Sequence, residues 1–288
     1  MAKIIAVNAP AKVNLTLDVK YKRPDGYHEL ETIMHQIDLC DRIIMEKGRE
    51  IVVDSNSTQI PMDDSNLAYK AAARILGIYG IKEGVKLFIE KTIPVGAGLA
   101  GGSTDAAAVL SGLNLLYDLG AGMNDLMPIA ASLGSDVPFC MQGGTALATG
   151  RGEILQPLYP THTLTLVLVK PQFEVSTAAV YGALDLTLVK KRPDARNLLT
   201  AWDHNNLENM ALNMVNVLEN VTIKLFPEIG LIKERLLTLG ASAVLMSGSG
   251  PSVFGLFDSM IKADSARDQM KDIYQEVFLV SSYMGSDR

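Results

Sequence analysis

The chain has 288 residues, of which 48% are hydrophobic and 20% are charged, which is typical of a globular protein with one large domain or two ordinary ones. A net charge of −6 without any Lys/Arg-rich stripe argues against a nucleic-acid polymer as the partner. No window of about 18 apolar residues predicts a membrane span. No signal peptide is recognisable, so we expect a cytoplasmic protein with Cys40 and Cys140 as free thiols.

The first half of the sequence alternates predicted strands with predicted helices. Short runs of alternating apolar and polar residues are typical of half-buried strands, and an Asp-Gly turn interrupts them. The predicted strands span residues 3–8, 12–20, 30–37, 41–47 and 84–91. A helix with one apolar face is predicted for residues 64–80, with Asp64 or Ser65 as its N-cap, and a later helix ends at Gly134.

Four glycines fall within residues 96–102, between the strand 84–91 and a helix predicted from residue 103 to about residue 117. So many glycines cost backbone entropy on folding, which indicates that something must approach the bare backbone there. Consecutive N–H groups ahead of a helix N-terminus, with hydroxyls from Ser103 and Thr104, are typical of a phosphate site. A tight turn needs only one or two glycines, so we expect this loop to bind phosphate.

Two familiar nucleotide-binding motifs fit this loop poorly. Gly96, Gly98 and Gly101 spell the dinucleotide fingerprint G-x-G-x-x-G, which requires a second parallel strand after the helix. The sequence continues instead with another helical pattern, which disfavours an NAD-linked oxidoreductase. No Gly-Lys-Ser/Thr follows the glycines, so the P-loop pattern fails as well.

The second half of the sequence predicts a small antiparallel sheet with helices on one face. Strands are predicted for residues 163–171 and 274–282, and a strand, a glycine turn and another strand for residues 242–257. We place the domain boundary between residues 155 and 156, which gives domains 1–155 and 156–288. The predicted helices of this half span residues 177–186, 207–219, 229–239 and 259–270.

Three further clusters carry polar residues with chemical potential. "APAKVNL" places Lys12 and Asn14 on one face of a strand, and "GSDVPF" places Asp136 between a helix end and a proline. "SGSGPSVF" adds a second glycine turn. Taken singly, each cluster has a simpler structural explanation. Lys12 could be a solvated surface lysine, Asp136 a turn aspartate, and the second glycine turn an ordinary hairpin.

In this order, however, the clusters resemble the signature series of the GHMP kinases (galactokinase, homoserine kinase, mevalonate kinase and relatives). The block "APAKVNLTLDVKYKRPDGYHELETIM" is similar to the branch that acts on diphosphocytidyl methylerythritol, and "DSNLAYKAA", "GSDVPF" and "KPQFEVSTAAVY" fit the same branch. The resemblance covers nearly the whole chain. "RPDGYHELET" is its most specific part, since the glycine motifs identify only the superfamily.

The resemblance implies an α+β fold with two domains, a ribosomal-S5-like N-terminal domain and a ferredoxin-like C-terminal domain. It also implies a reaction, the transfer of the γ-phosphoryl group of ATP to the 2-hydroxyl of diphosphocytidyl methylerythritol in non-mevalonate isoprenoid biosynthesis. ATP and Mg²⁺ would be required, and the partner would be a small molecule carrying a CDP group. The sequence leaves the oligomeric state and the protein ligands of the metal open.

The resemblance also assigns roles to residues. Asp136 would accept the proton of the attacking hydroxyl, and Lys12 would stabilise the growing negative charge. Substrate-binding residues would be Asn14, Tyr27, His28 and Tyr181, with the two tyrosines on either face of the cytosine. The glycine turn at Gly248, Ser249 and Gly250 is the third motif of the family. ATP would be bound by Asn66, Pro94, Gly96, Ala97, Gly98, Leu99, Ala100, Gly101, Gly102, Ser103 and Thr104.

Alternatives remain open. Asp105 follows the glycine loop either as a helix cap or close to the metal. A different GHMP kinase, of the mevalonate type, would share the glycine loops but would not need the "DGYHELE" block. An inactive nucleotide-binding module is disfavoured because Lys12 and Asp136 are both present.

Overall fold

The computed structural model describes residues 3–285. Their contacts divide the chain into two compact units, each assembled from separate stretches of sequence. Residues 3–11, 39–95 and 100–143 form the first unit, and residues 12–38, 96–99 and 144–285 form the second. The chain therefore enters both units repeatedly, and the boundary at residues 155 and 156 remains a prediction.

The described residues form ten strands, ten α-helices and one 3₁₀ helix at Leu186–Leu188. The strands are β1 (Ile4–Lys22), β2 (His28–Gly48), β3 (Val52–Ser55), β4 (Gly84–Glu90), β5 (Thr145–Gly150), β6 (Ile154–Leu158), β7 (Thr165–Lys170), β8 (Ala243–Met246), β9 (Val253–Phe257) and β10 (Glu276–Ser281). The helices are α1 (Leu67–Ile78), α2 (Gly101–Leu116), α3 (Met123–Leu133), α4 (Val137–Gln142), α5 (Thr177–Gly182), α6 (Ala195–Asp203), α7 (Leu207–Asn213), α8 (Glu219–Leu225), α9 (Glu228–Thr238) and α10 (Met260–Lys271).

In the first unit, helices α1 to α4 share a hydrophobic core with β2, β3 and β4. Strand β4 pairs antiparallel with residues 42–48 of β2 and parallel with β3. Helix α2 is apolar along much of its length because it is surrounded by other elements, and ten of its residues are buried. A Cβ atom added at Gly112 would lie 1.8 Å from Met45 Cε, so α2 approaches β2 very closely at this point.

The second unit contains two sets of paired strands. Residues 30–35 of β2 pair antiparallel with β5, which pairs in turn with β6. The other sheet has the order β10-β7-β9-β8 and is antiparallel throughout, which confirms the predicted small antiparallel sheet. Its core includes Val167, Val253, Ile232 and Ala263, so both α9 and α10 bury apolar side chains in it.

Within the second unit, a buried histidine of β2 bonds both the start of β5 and the residue that follows β10. His35 Nδ1 lies 2.8 Å from Thr145 Oγ1, and His35 Nε2 lies 2.8 Å from Ser282 Oγ. Burial lowers the pKa of His35 to about 4, so the ring is neutral at pH 7 and serves these hydroxyls as one donor and one acceptor. The ring also packs edge-on against Trp202.

Several sequence predictions need correction. Neither Asp64 nor Ser65 caps α1, because Asn66 is its N-cap and Asn66 Oδ1 accepts a 2.8 Å hydrogen bond from the Ala68 N–H. The four strands predicted before residue 48 merge into β1 and β2. Helix α6 was not predicted, and the predicted helix 207–219 ends at Asn213.

The order of elements after α2 excludes the dinucleotide-binding alternative. Within residues 3–285, α2 is followed by α3 and α4 and then by β5, which pairs antiparallel with β2. The parallel strand that a dinucleotide-binding unit requires is therefore missing from this position. No helix in residues 3–285 has both the length and the apolar character needed to cross a membrane.

Candidate active site

The glycine-rich loop presents a run of backbone donors that the fold does not use. Within residues 3–285, the N–H groups of residues 98–103 donate no hydrogen bond to another residue, and the first bonded one is Thr104 N–H, 2.9 Å from Ala100 O. Ala100 is the N-cap of α2 and has φ +59°. A run of unused N–H groups at the start of a 16-residue helix favours an anion.

Gly98 also has a packing role, which sequence reasoning missed. Its φ is +73°, and a Cβ atom added there would lie 2.4 Å from Ser247 O and 2.9 Å from Gly250 O. Ser247 Oγ donates a 3.0 Å hydrogen bond to Gly98 O. The glycine at this position therefore lets the loop lie directly on the second glycine turn, whatever ligand it binds.

Lys12 is buried and held by hydrogen bonds. This excludes the simpler explanation from the sequence, that Lys12 is a solvated lysine on a surface strand. It is 4% exposed, and its ammonium donates to Asn14 Oδ1 at 2.7 Å and to Gly98 O at 3.3 Å. Its backbone N–H donates to Leu99 O at 3.1 Å. Asn14 is fixed in turn, because its amide donates to Thr32 Oγ1 at 2.8 Å. The second unit thus brings together Lys12, Asn14 and residues 98 and 99 of the glycine loop.

The second glycine turn joins β8 to β9, as the sequence predicts. Its carbonyls are held by side chains, with Asn216 Nδ2 donating to Met246 O and Gly248 O at 2.8 and 2.7 Å. Ser249 Oγ lies 2.8 Å from Thr177 Oγ1. Asn216 is one of six asparagines within residues 205–220, and no local motif indicates its role.

Asp136 stands at the start of α4 in the first unit. It is the N-cap residue, but its side chain makes no capping hydrogen bond to the first turn. The side chain is half-buried, and Pro138 follows in the first turn of the helix. The pairing of Asp136 with Lys12 remains a prediction.

Both the nitrogen and the oxygen of the Asn66 amide make a hydrogen bond within the fold. Besides the capping bond to Ala68, Asn66 Nδ2 donates to Pro61 O at 2.6 Å, and the residue is 8% exposed. These bonds explain an asparagine at this position without a ligand. Its contact with adenine remains a prediction.

Three aromatic residues that are predicted to bind the substrate lie in the second unit. The rings of His28 and Tyr181 lie 5.1 Å apart at an interplanar angle of 33°. Tyr27 is 55% exposed, and the Arg151 guanidinium lies 4.9 Å from its ring centroid. Partial burial and the nearby Lys22 charge lower the pKa of His28, so its ring is neutral at pH 7 and offers one donor and one acceptor.

A buried cluster of three charged residues lies beside the loop in the first unit and was not predicted. Lys91 Nζ bonds Asp41 Oδ2 and lies 3.1 Å from Asp105 Oδ2. Asp41 Oδ1 accepts hydrogen bonds from the N–H groups of Thr92 and Ile93 at 2.6 and 2.9 Å. Neither a helix cap nor a metal contact is thus needed to explain Asp105. Residues 3–285 contain no cluster of three His, Cys, Asp or Glu side chains suited to a metal ion.

Comparison with known proteins identifies the family. The family model for the GHMP kinases N terminal domain matches residues 66–144, and that for the GHMP kinases C terminal domain matches residues 187–276. The 4-diphosphocytidyl-2-C-methyl-D-erythritol kinase of Syntrophomonas wolfei is 56% identical over 99% of this chain and 100% of its own length. This chain belongs to the 4-diphosphocytidyl-2-C-methyl-D-erythritol kinase family. The family member from Bacillus licheniformis is 47% identical over 96% of each chain.

Solved structures confirm the fold. A crystal structure of 4-(cytidine 5'-diphospho)-2C-methyl-D-erythritol kinase matches with a TM-score of 0.85 at 36% identity, covering 98% of this chain and 100% of that one. Homoserine kinase from Cytophaga hutchinsonii matches with a TM-score of 0.77 at 22% identity, covering 98% and 95% of the two chains, and this likeness shows the fold alone. The predicted two-domain α+β fold of the GHMP kinases is confirmed, and so is membership of a kinase family.

Proposed function

We propose that this chain transfers the γ-phosphoryl group of ATP to the 2-hydroxyl of 4-diphosphocytidyl-2-C-methyl-D-erythritol. The observation that carries the proposal is the run of unused N–H groups at residues 98–103, in a chain of this kinase family. Phosphoryl transfer depends mainly on positioning and on neutralising charge, and backbone donors supply both for a triphosphate. The loop from Pro94 to Thr104 is the proposed phosphate-binding segment.

Asp136 and Lys12 are the proposed catalytic residues. The 2-hydroxyl oxygen forms a bond to the γ-phosphorus while the bond from that phosphorus to the β,γ-bridging oxygen breaks, so ADP leaves. The proton of the hydroxyl passes to the Asp136 carboxylate. Lys12 stabilises the developing negative charge, and its bonds to Asn14 and Gly98 hold its ammonium in one position beforehand.

Mg²⁺ is proposed as the companion of ATP. It usually keeps several waters and binds phosphate oxygens with few protein carboxylates, which fits the lack of an acidic cluster in residues 3–285. When bound, it supplies neutralisation of phosphate charge.

The proposed CDP site consists of Tyr27, His28 and Tyr181, with Asn14 contributing to substrate binding. The exposed ring of Tyr27 and the half-buried rings of His28 and Tyr181 provide a stacking surface for a base. The neutral His28 ring, with one donor and one acceptor, suits the hydrogen-bonding edge of cytosine.

Labelled ATP offered with a panel of alcohols tests the proposal. The panel contains the CDP-linked methylerythritol, methylerythritol without its CDP group, mevalonate and homoserine. We expect phosphorylation of the CDP-linked compound alone. Efficient phosphorylation of mevalonate would favour the mevalonate-type alternative, and ATP binding without transfer to any acceptor would favour the inactive module.

A further inference from the structure

The Asp41–Lys91–Asp105 cluster joins the two ends of the glycine loop. Asp41 binds the backbone just before the loop, through the N–H groups of Thr92 and Ile93. Just after the loop, a Cβ atom added at Gly101 would lie 3.0 Å from Lys91 Nζ, so the first turn of α2 rests on the ammonium. The cluster thus fixes the separation of the loop's two ends.

The charges of the cluster do not balance if all three groups are ionised. The side chains of Asp41, Lys91 and Asp105 are 0%, 5% and 4% exposed. Two carboxylates against one ammonium would leave one negative charge buried without a counterion, which costs several kcal/mol as an order of magnitude. One proton held by the cluster removes that charge.

The hydrogen bonds indicate which carboxyl group holds the proton. Asp41 accepts bonds at both oxygens, from two backbone N–H groups and from Lys91. Asp105 Oδ1 is buried and has no hydrogen-bond partner among the residues that the structure describes, so an ionised Asp105 would leave a charged oxygen without a donor. Burial, together with the charge of Asp41 and a hydrogen bond to it, raises the pKa of Asp105 to about 8, against the opposing effect of Lys91.

Within residues 3–285, the helices packed against α2 bury no further charged side chain. The residues that α1, α3 and α4 bury in the shared core are apolar, apart from the Cys140 thiol of α4. The charged groups that face Asp105 are Lys91, which follows β4, and Asp41 of β2. The ionisation of Asp105 is therefore governed by these two neighbours and by burial.

We propose that one proton, held by Asp105 within the Asp41–Lys91–Asp105 cluster, sets the ATP affinity of the glycine loop. With the proton in place, the cluster is neutral and clamps both ends of the loop. Loss of the proton adds a buried negative charge near the N-terminus of α2. This charge repels a polyanionic ligand and weakens the contacts that hold the two ends of the loop. Asp105 is in this view a positioning residue, and the inference rests on ATP being the ligand of the loop.

The test measures the dissociation constant of ATP by calorimetry between about pH 6 and about pH 9, on either side of the pKa of Asp105. The wild-type chain should lose about fivefold or more in affinity across this range, within the usual span of coupling between sites. Asp105→Asn keeps a neutral group with one acceptor for Lys91 and donors toward Asp41, so its affinity should match that of the wild type at pH 6 and stay constant. The control is Asp118→Asn, an exposed carboxylate beyond the other end of α2, which should retain the wild-type profile.

A second measurement needs no variant. Infrared spectroscopy of the wild-type chain at pH 6 should show the carbonyl stretch of a buried protonated carboxylic acid, and this band should be lost above pH 8. Its absence at pH 6, or a wild-type ATP affinity that stays constant with pH, would overturn the inference. Failure of the chain to bind ATP at any pH would instead contradict the proposed function, so the two are distinguishable.

Discussion

Two glycine-rich segments of this chain look alike in sequence and differ in what the fold does with their polar groups. In the turn from Ser247 to Gly250, the Gly250 N–H donates to Ser247 O, and Asn216 holds the Gly248 carbonyl. In the loop, the N–H groups of residues 98–103 have no partner within residues 3–285. Glycine content alone does not separate a structural turn from a binding loop, but the use of the donors does.

The comparison divides the site residues into two groups. Substituting a residue whose polar groups make hydrogen bonds within the fold, such as Asn66 or Asn216, should lower stability, and any loss of activity should follow from that. Residues whose groups are left for a ligand should affect activity or binding while the melting temperature stays near its wild-type value.

The largest effect should come from Asp136→Asn. Removing a general base costs about 10²–10⁴ in rate, so kcat should fall by that order with little change in KM for either substrate. The melting temperature of the variant is measured alongside, so that a loss of rate can be told from a loss of folding. Steady-state kinetics of Asp136→Asn test this, with Asp272→Asn at an exposed position as the control. Near-normal turnover of Asp136→Asn would show that Asp136 is not the general base.

Gly98→Ala should lower the free energy of unfolding as well as weaken ligand binding. A side chain at φ +73° costs about 1–2 kcal/mol, and the 2.4 Å approach of its Cβ to Ser247 O adds overpacking of about 1–3 kcal/mol. Denaturant unfolding should show the loss. Gly77→Ala is the matched control because a Cβ there meets nothing within 4 Å in α1, and it should be neutral or stabilising. A fully stable Gly98→Ala would mean that the two glycine segments do not constrain each other.

Tyr27→Ala should have a smaller effect, confined to one substrate. Base–aromatic stacking contributes about 1–3 kcal/mol, so KM for the CDP-linked substrate should rise about 5- to 150-fold. KM for ATP and the melting temperature should change little, since the ring is 55% exposed. Tyr159→Ala, at 87% exposure, provides the control, and equal losses for both substrates would show that the pocket is misassigned.

Much of the fold could be predicted from local pattern. Period-two alternation identified the strand segments, and the Gly-rich hairpin 242–257 was located correctly because its turn chemistry is local. The long strand β1 was predicted as two strands, 3–8 and 12–20, but in the structure it continues through Pro10, a residue that is rare inside a strand. It is tolerated here because, within residues 3–285, β2 is the one strand of the sheet that pairs with β1, so β1 lies at the sheet edge. The isolated backbone bridge from Leu17 to Asn216 lies further along β1 and does not involve Pro10.

The candidate site was predictable only where sequence motifs mark it. Lys12 and Asn14 could be placed on one face because they lie two residues apart in a strand, and their 2.7 Å contact confirms it. Asp41 and Lys91 are 50 residues apart, and Asn216 reaches Gly248 over 32 residues. Such pairs form only through tertiary packing, and the residues themselves carry no local signal.

The central claim is that the unused N–H groups of the loop bind the phosphates of ATP. Selective ¹⁵N labelling of glycine lets the amides of Gly98, Gly101, Gly102 and Gly250 be followed by NMR while a non-hydrolysable ATP analogue is added. The account predicts large shifts and slowed hydrogen exchange at the three loop glycines, and smaller changes at Gly250, whose N–H is already bonded to Ser247 O. Binding of the analogue that leaves the three loop amides unchanged would contradict it.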